Sequence, residues 1–539
     1  MKNYNAKTGK RLIQILMFSM YNDQRIIYRE YIQNAYDSIS RAVQEGILSE
    51  MKDGVVDINI DRNAQRITIR DNGIGIKSSE VAGKLLNIAD SWKDGVGTAG
   101  QYGIGRLAGA GYCRVLKFKT SAVGEKEASI LTFDVDFANQ IINDATDTSS
   151  ATEVIDLITK MEYEPEEESE HYFEVTLEGV YKEYKDLLSL EAITDYLRQV
   201  APIDYSMEFK NILVASALQN HENSNYKDLW MTIKNVAIHI NGGEGLRKRY
   251  SLIVEGTGDE VDSLDFFKID NNDGEILAWG WYAVTPFTTQ IPIADKSRGM
   301  RLRKHNIQLG SSDLLNKYFP ENRGNNYFYG EVFVIHHNLR PNSDRSGLAP
   351  TPESERFFSV LRLKFKELHN LYHLANSAKN AVKKVTLAVD KLNAGVDNDL
   401  NHLQEDLKSA YNELEKIEGS DKAKSSVAQR VIDIHKAKAE KKKDDVKIKK
   451  KAPLSSYSTS SLQSNPFAVN SETKVIKESP VLSKGSCSDI YEPLKEKFTN
   501  KEITLIRRAF TYMNKACSEG HKEMLYQLQL VAIENLKSL

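Results

Sequence analysis

A chain of 539 residues, with 72 Lys and Arg against 75 Asp and Glu and a net charge of −3, is too long for one hydrophobic core. It is also too evenly charged for its overall field to demand nucleic acid. Its three cysteines, Cys113, Cys487 and Cys517, are too far apart for a disulfide framework or a paired-thiol zinc site, which fits a reducing cytoplasm. No stretch reaches the roughly 18 apolar residues of a bilayer span, and the short apolar run in residues 1–20 lacks a signal-peptide cleavage site. A cytoplasmic protein with no membrane partner is expected.

In chain order, residues 1–20 predict a helix packed ahead of a longer amphipathic one at 21–45, YNDQRIIYREYIQNAYDSISRAVQE. That second helix carries Glu30, Asn34 and Asp37 at spacings that turn all three to roughly one side. A carboxylate four residues before a carboxamide supplies a base able to orient water and an oxygen able to ligand a hard cation such as magnesium. Alone, such a triplet is more often a solvated face. The next segments of the chain alter that balance. The alternation from Val55 to Arg70 predicts a hairpin turning at Asp61-Arg62-Asn63. It delivers Asp71, whose carboxylate can accept the exocyclic amine of adenine, while Gly73 and Gly75 admit backbone close to the base. Beyond it, SSEVAGKLLNIADS predicts a short helix and KDGVGTAG a lid able to move over bound nucleotide. The run Gly100, Gln101, Tyr102, Gly103, Ile104, Gly105, Arg106 then offers a nest of backbone N–H groups for phosphate oxygens. Arg106 either adds charge at that phosphate or is a surface arginine at a helix start.

From Cys113, the segments CRVLKFKTSA, ASILTFDVDF and HYFEVTLEGV predict strands completing an antiparallel sheet, with helices on its other face, ending near Gly179. The acidic run Glu162–Glu170 reads as a solvated loop, since it lacks the ligand spacing of a calcium site. Residues 186–350 predict a second α/β domain. In it, His336 and His337 point to opposite faces of a strand and suggest no metal site. The basic strand Arg298–His305 reads as a solvated face ahead of a surface for an acidic partner or nucleic acid. Thr351-Pro352-Glu353 marks a helix start. Apolar spacing from Leu361 to Leu414, broken near Gly395, predicts an antiparallel helical hairpin, with self-association through the same stripe as the rival arrangement. Residues 419–488 read as a flexible linker, basic and then serine-rich. Residues 489–539 read as a small helical pair behind a capping box at Thr499 and Glu502.

The segments REYIQNAYDS, DNGIGI, NIADS and GQYGIG, in that order, resemble the GHKL ATPases, the group named for gyrase, heat-shock chaperone, histidine kinase and MutL. Within it the ninety-kilodalton heat-shock chaperones look closest, over residues 1–350. The resemblance implies an α+β architecture, with a Bergerat-type ATP-binding sandwich at 1–185 and a transducer domain at 186–350; the hairpin at 351–418, the linker at 419–488 and the C-terminal pair at 489–539 follow from their own spacing and composition. It implies ATP and magnesium as cofactors, Glu30 as the residue that orients or deprotonates water, and Asn34 as the magnesium ligand. Asp37, Asp71 and the glycines would complete the ATP site. In GEVFVIHHNLRPNSDR, Asn342 and Arg345 match a chaperone loop whose arginine reaches the γ-phosphate, which makes Arg345 a second catalytic candidate. The plainer alternative pairs it with Asp344 or solvent. Two positions depart from the pattern. Arg106 stands where the chaperones carry an aromatic residue, and Glu170-His171-Tyr172 replaces their Gly-Thr, with Thr176 no safe substitute. The implied activity is a nucleotide cycle that closes a homodimer and remodels protein clients. The hairpin and lysine-rich linker suit a different class, a DNA-associated ATPase clamp resembling MutL or MORC proteins in genome maintenance or defence against foreign DNA. A nucleotide switch without turnover is a third reading.

Overall fold

In a computed structural model of the protein, the structure describes residues 8–18, 23–87, 105–342, 344–394 and 400–450, together with Ile506. The chain divides into two units, residues 1–454 and 455–539, and every described residue except Ile506 belongs to the first. The expected lid, most of the glycine loop (Gly100–Ile104), the serine-rich stretch and the C-terminal pair lie outside the described residues. No helix among the described residues is long and apolar enough to cross a membrane.

The chain opens with helices α1 (Arg11–Phe18) and α2 (Ile26–Gln44). In α2, Ile27, Tyr28, Tyr31, Ile32, Ala35, Ile39 and Ala42 recur at three-four spacing and are all buried, the stripe that seats a helix on a core. Strands β1 (Val55–Asp61) and β2 (Arg66–Asp71) form the expected hairpin, with Ile58 opposite Ile69. The Asp61 carboxylate accepts the N–H groups of Asn63 and Ala64, each at 2.9 Å, and so fixes the turn. On β2, Ile67, Ile69 and Asp71 share the buried face. The period of two therefore carries a carboxylate to a core position.

After α3 (Ser78–Leu86) come β3 (Val115–Ser121), β4 (Glu127–Asp134), α4 (Val135–Asn143), α5 (Ala151–Ile158), β5 (Thr159–Pro165) and β6 (Tyr172–Glu178). Part of the acidic run is thus strand and not loop. β5 pairs with β4 at the edge of the sheet, where Glu162 and Glu164 remain in solvent and charge discourages further pairing. Helix α6 (Leu190–Val200) buries Ile193, Leu197 and Val200 in the same core. Past α7 (Ala215–Gln219) and α8 (Lys227–Met231), strand β7 (Ala237–Ile240) pairs in parallel with β1. The sheet order is β5-β4-β3-β6-β2-β1-β7. This sheet therefore draws its last strand from beyond residue 185. AIHI alternates like any half-buried strand, and nothing in its sequence names the partner it joins.

A second sheet, in the order β11-β10-β12-β9-β8, contains β8 (Ser263–Asp270), β9 (Ile276–Val284), β10 (Gly299–Lys304), β11 (Ile307–Gln308) and β12 (Tyr329–Val334). On one face Trp279 and Trp281 of β9 pack in a cluster with Tyr205 and Phe209. The other meets Phe357, Leu361 and Phe365 of α9 (Pro352–Ala394). The basic strand is not a solvated face: in β10, Arg301, Arg303 and Lys304 are 4%, 1% and 9% exposed. Their charges are taken up inside the protein, so a count of basic residues misread them.

Helix α9 starts where expected, Ser354 N–H donating to Thr351 Oγ1 at 3.1 Å. It packs against α10 (Leu400–Glu418) as the predicted hairpin. The expected linker is overturned in its first part. Residues Ser426–Lys450 form α11, which also packs on α9. Val427, Val431, Ile432, His435 and Ala439 make a buried stripe that the lysine-rich composition concealed, because amphipathic spacing and not total hydrophobicity seats a helix.

Candidate functional site

Glu30 lies on the buried side of α2, only 2% exposed. Its Oε2 forms an ion pair with Arg345 Nη2 at 3.1 Å, while Oε1 is 3.7 Å from Arg29 Nη2. That second separation is too long for a hydrogen bond. Glu30 Oε1, Arg29 Nε and Nη2, and Arg345 Nη1 are buried without hydrogen-bond partners among the described residues. Unpaired buried charge is unfavourable, and such a cluster is completed when water or a polar ligand supplies the missing partners. Gly105, the last glycine of the loop, closes in from the other side. A Cβ there would stand 2.6 Å from Glu30 Oε2.

Arg345 is held out by its loop. Its φ of +56° is a conformation that non-glycine residues seldom adopt. Asn342 accounts for it: its carbonyl accepts Arg345 N–H at 3.1 Å and its side-chain oxygen accepts Gly347 N–H at 3.1 Å. The asparagine three residues before the arginine is thus the brace that aims it. Pairing with Asp344 does not occur; that carboxylate takes the Ser346 hydroxyl and N–H.

The other pole of the site lies two helical turns along α2. Asp71 is 5% exposed, and burial raises its pKa to about 7 against the lowering effect of the Gly73 N–H and the Ser38 hydroxyl. The Gly73 N–H donates to it at 2.9 Å. A side chain at Gly73 would overlap Ser38, and one at Gly75, where φ is +68°, would overlap the Ser121 carbonyl. These two glycines let the chain after β2 press against α2 and β3. His171 takes part too, its Nδ1 lying 2.8 Å from the Gly73 carbonyl oxygen. Thr176 instead faces Thr68 across the sheet, 3.5 Å between hydroxyls.

Asn34 is half-buried, one turn from Glu30 and one from Ser38. Asp37 is buried, and its charge opposes the burial that lowers His305 to about 4. Arg106 is buried rather than superficial, its guanidinium donating to the Asn87 carbonyl. The Tyr31 hydroxyl donates to the Arg106 carbonyl at 3.1 Å and accepts the Gly109 N–H at 2.8 Å. Arg106 and Tyr31 therefore fasten the chain on both sides of residues 88–104 to α2. Gly100, Gln101, Tyr102, Gly103 and Ile104 lie outside the described residues.

The structure thus joins Glu30, Gly105 and Arg345 at one pole and Asp71, Gly73 and Ser38 at the other, with Asn34 between. Sequence reasoning missed Arg29, Tyr31 and Ser38, and noted His171 only as a departure from the chaperone pattern. Only Ser38, one turn beyond Asn34, had a readable signal. A polar cavity of about 250 Å³, lined by Asp57, Arg70, Asp71, Asn72, Glu170 and His171, opens beside β1 and β2 and so reaches the Asp71 pole.

A family model described as histidine kinase-, DNA gyrase B- and HSP90-like ATPase matches residues 25–164. Among curated proteins, the chaperone protein HtpG of Frankia casuarinae is 25% identical over 204 residues, covering 34% of this chain and 30% of the relative. HtpG of Bacillus subtilis is 28% identical over 204 residues, covering 35% and 32%. HtpG of Clostridium perfringens is 29% identical over 196 residues, covering 33% and 31%. The chain spans about a third of the length of the curated relatives it matches.

Proposed function

We propose that this chain, as a protein of the GHKL ATPase superfamily similar to the HtpG chaperones, hydrolyses ATP with magnesium at the α2 site. The observation that carries the reading is Glu30: a buried carboxylate with one oxygen unpartnered and the other on Arg345. A carboxylate so placed can orient a water and take its proton. Arg345 and Arg29 set positive charge beside it, at 3.1 Å and 3.7 Å.

Adenine would lie at the Asp71 pole, its amine donating to the carboxylate, and the triphosphate would run along α2 toward Glu30. The two turns between Ser38 and Glu30 span ~11 Å, a length that suits an extended nucleotide. The oxygen donor set fits magnesium: the Asn34 carbonyl oxygen beside phosphate and water oxygens is what a hard, small cation selects. Bound there, the ion would neutralise charge on the phosphates. The Gly105 end of the loop would supply backbone N–H groups, Arg106 and Tyr31 anchoring it.

Arg345 has a second role in this reading. Without nucleotide it rests on Glu30; a γ-phosphate would draw the guanidinium away and leave Glu30 Oε2 to the attacking water. Its loop comes after β12 in the chain, so the exchange reports nucleotide to the second sheet. Closure of a homodimer and remodelling of protein clients extend the reading, supported by the HtpG chaperones as relatives. A second reading, the DNA-associated clamp, draws on α11, whose end carries lysines at 441, 442, 443, 447, 449 and 450. Neutralising Lys441, Lys442 and Lys443 to Gln keeps the buried stripe of α11. Salt-dependent DNA binding that falls in that variant favours the clamp.

The test of the central claim is Glu30→Ala. Turnover should fall by ~10²–10⁴-fold, while ATP still binds, because the base acts on water and not on the nucleotide. Hydrolysis at the parent rate would overturn the assignment.

A further inference from the structure

Far from α2, helix α9 presents His369 and His373 one turn apart, and the loop before β12 brings Glu321 against them. One ligand atom from each of the three lies within 4.8 Å of the other two, and all three residues are half-buried. Two imidazoles at i and i+4 on one helix face form a pair that a single ion can bridge. His373 Nε2 is 3.9 Å from Glu321 Oε1, too far for a hydrogen bond. The nitrogen is itself buried with no partner among the described residues. An imidazole nitrogen turned toward a carboxylate it does not touch leaves the gap that an ion occupies.

The surroundings hold each group in that attitude. The Tyr372 hydroxyl engages His369 Nδ1 at 3.0 Å, which leaves Nε2 as the lone-pair atom when Nδ1 carries the proton. Arg323 Nε donates to Glu321 Oε2 at 2.6 Å, fixing the carboxylate while Oε1 faces the histidine. The Tyr372 ring is stacked between Tyr327 at 4.4 Å and His373 at 4.5 Å.

We propose that Glu321, His369 and His373 bind one divalent transition-metal ion of the zinc class. Two nitrogens and one carboxylate oxygen, with a fourth position left to water, are a zinc-type donor set, whereas magnesium and calcium select oxygen alone. Tetrahedral donors at zinc distances stand about 3.4 Å apart, a closure within reach of side-chain rotation. The ion ties the loop at Glu321 to α9 and thereby braces the second sheet against its helix. His336 offers a contrast. It meets Glu275 at 3.4 Å, but among the described residues no third metal-ligating side chain joins them.

The test titrates zinc chloride into the full chain after chelator treatment, by calorimetry, with cobalt as a visible-absorption probe. One equivalent should bind with a rise in melting temperature, and cobalt should give the intense bands of a four-coordinate site. His373→Ala and the near-isosteric Glu321→Gln should each weaken binding roughly tenfold or more. His336→Ala/His337→Ala should leave it unchanged, as should Glu30→Ala. Binding unaltered in His369→Ala/His373→Ala, loss confined to the His336 variant, or no uptake at millimolar zinc would each overturn the site. Glu321→Gln keeps the size and hydrogen-bonding reach of the side chain, so its result stands even where a histidine variant misfolds.

Discussion

Two buried glutamates, Glu30 on α2 and Glu331 on β12, have nearly the same inventory: 2% and 0% exposure, and two cationic neighbours each. Their hydrogen bonding separates them. Glu331 accepts from Lys248 Nζ at 2.8 Å, Tyr250 Oη at 3.1 Å, the Tyr205 hydroxyl and Arg303 Nε. Arg303 spends its other nitrogens on the Asn306 and Gln199 carbonyls, and Lys248 reaches Asn306 Oδ1 at 2.7 Å. Burial would raise the Glu331 pKa, but Arg303 and Lys248 outweigh it and hold it near 2. Around Glu30, by contrast, atoms of all three charged groups remain unpaired. A closed network fixes a fold, while an open one of the same charges waits for a ligand.

The sharpest way to break the comparison is to remove the closed carboxylate. Glu331→Ala strands Arg303 and Lys248 in the interior and should lower unfolding free energy by about 3–5 kcal/mol, read by chemical denaturation. The matching Glu30→Gln change should alter stability by less than about 1 kcal/mol, because its network is already incomplete. Equal losses would place both carboxylates in the structural class.

For Arg345 the expected loss is in rate. Arg345→Ala should lower turnover by roughly 10²–10³-fold with ATP binding little changed, and Arg345→Lys should not restore it, since an ammonium point charge cannot grip the γ-phosphate through two N–H groups as a planar fork does. A drop in stability comparable to that of Glu331→Ala, with turnover intact, would move Arg345 to the structural side.

The same contrast, local pattern against long-range pairing, decides what the sequence made legible. The Glu30, Asn34 and Asp71 framework was legible because helical and strand periods place each residue without reference to the rest of the chain. The Asn342–Arg345 loop was found by resemblance, and its reason, a braced left-handed arginine, needed coordinates. The basic strand β10 was misread for a physical cause: Arg303 is neutralised by Glu331, 28 residues away, and long-range pairing leaves no local mark. Helix α11 was missed because lysines dominate its composition while its apolar stripe is narrow. The zinc-type cluster was equally hidden, since Glu321 comes from a loop well before the helix that carries His369 and His373.

The smallest expected effect concerns Asp71, the other pole of the open site. Its pKa of about 7 lies above the ordinary 3.8, so the folded protein binds that proton more tightly than the unfolded chain does. The stability this adds is complete below the ordinary value and is lost as pH rises through 7. Adenine demands the opposite state, since its amine donates to the ionised carboxylate. ATP affinity should therefore rise about tenfold between pH 6 and pH 8 while thermal stability of the nucleotide-free protein declines. Asp71→Asn cannot titrate and should flatten both trends, with affinity weak throughout because an amide in that position turns a donor toward the adenine amine or must flip to avoid it. Parallel trends in the parent protein, both rising or both falling, would show that Asp71 does not receive the base.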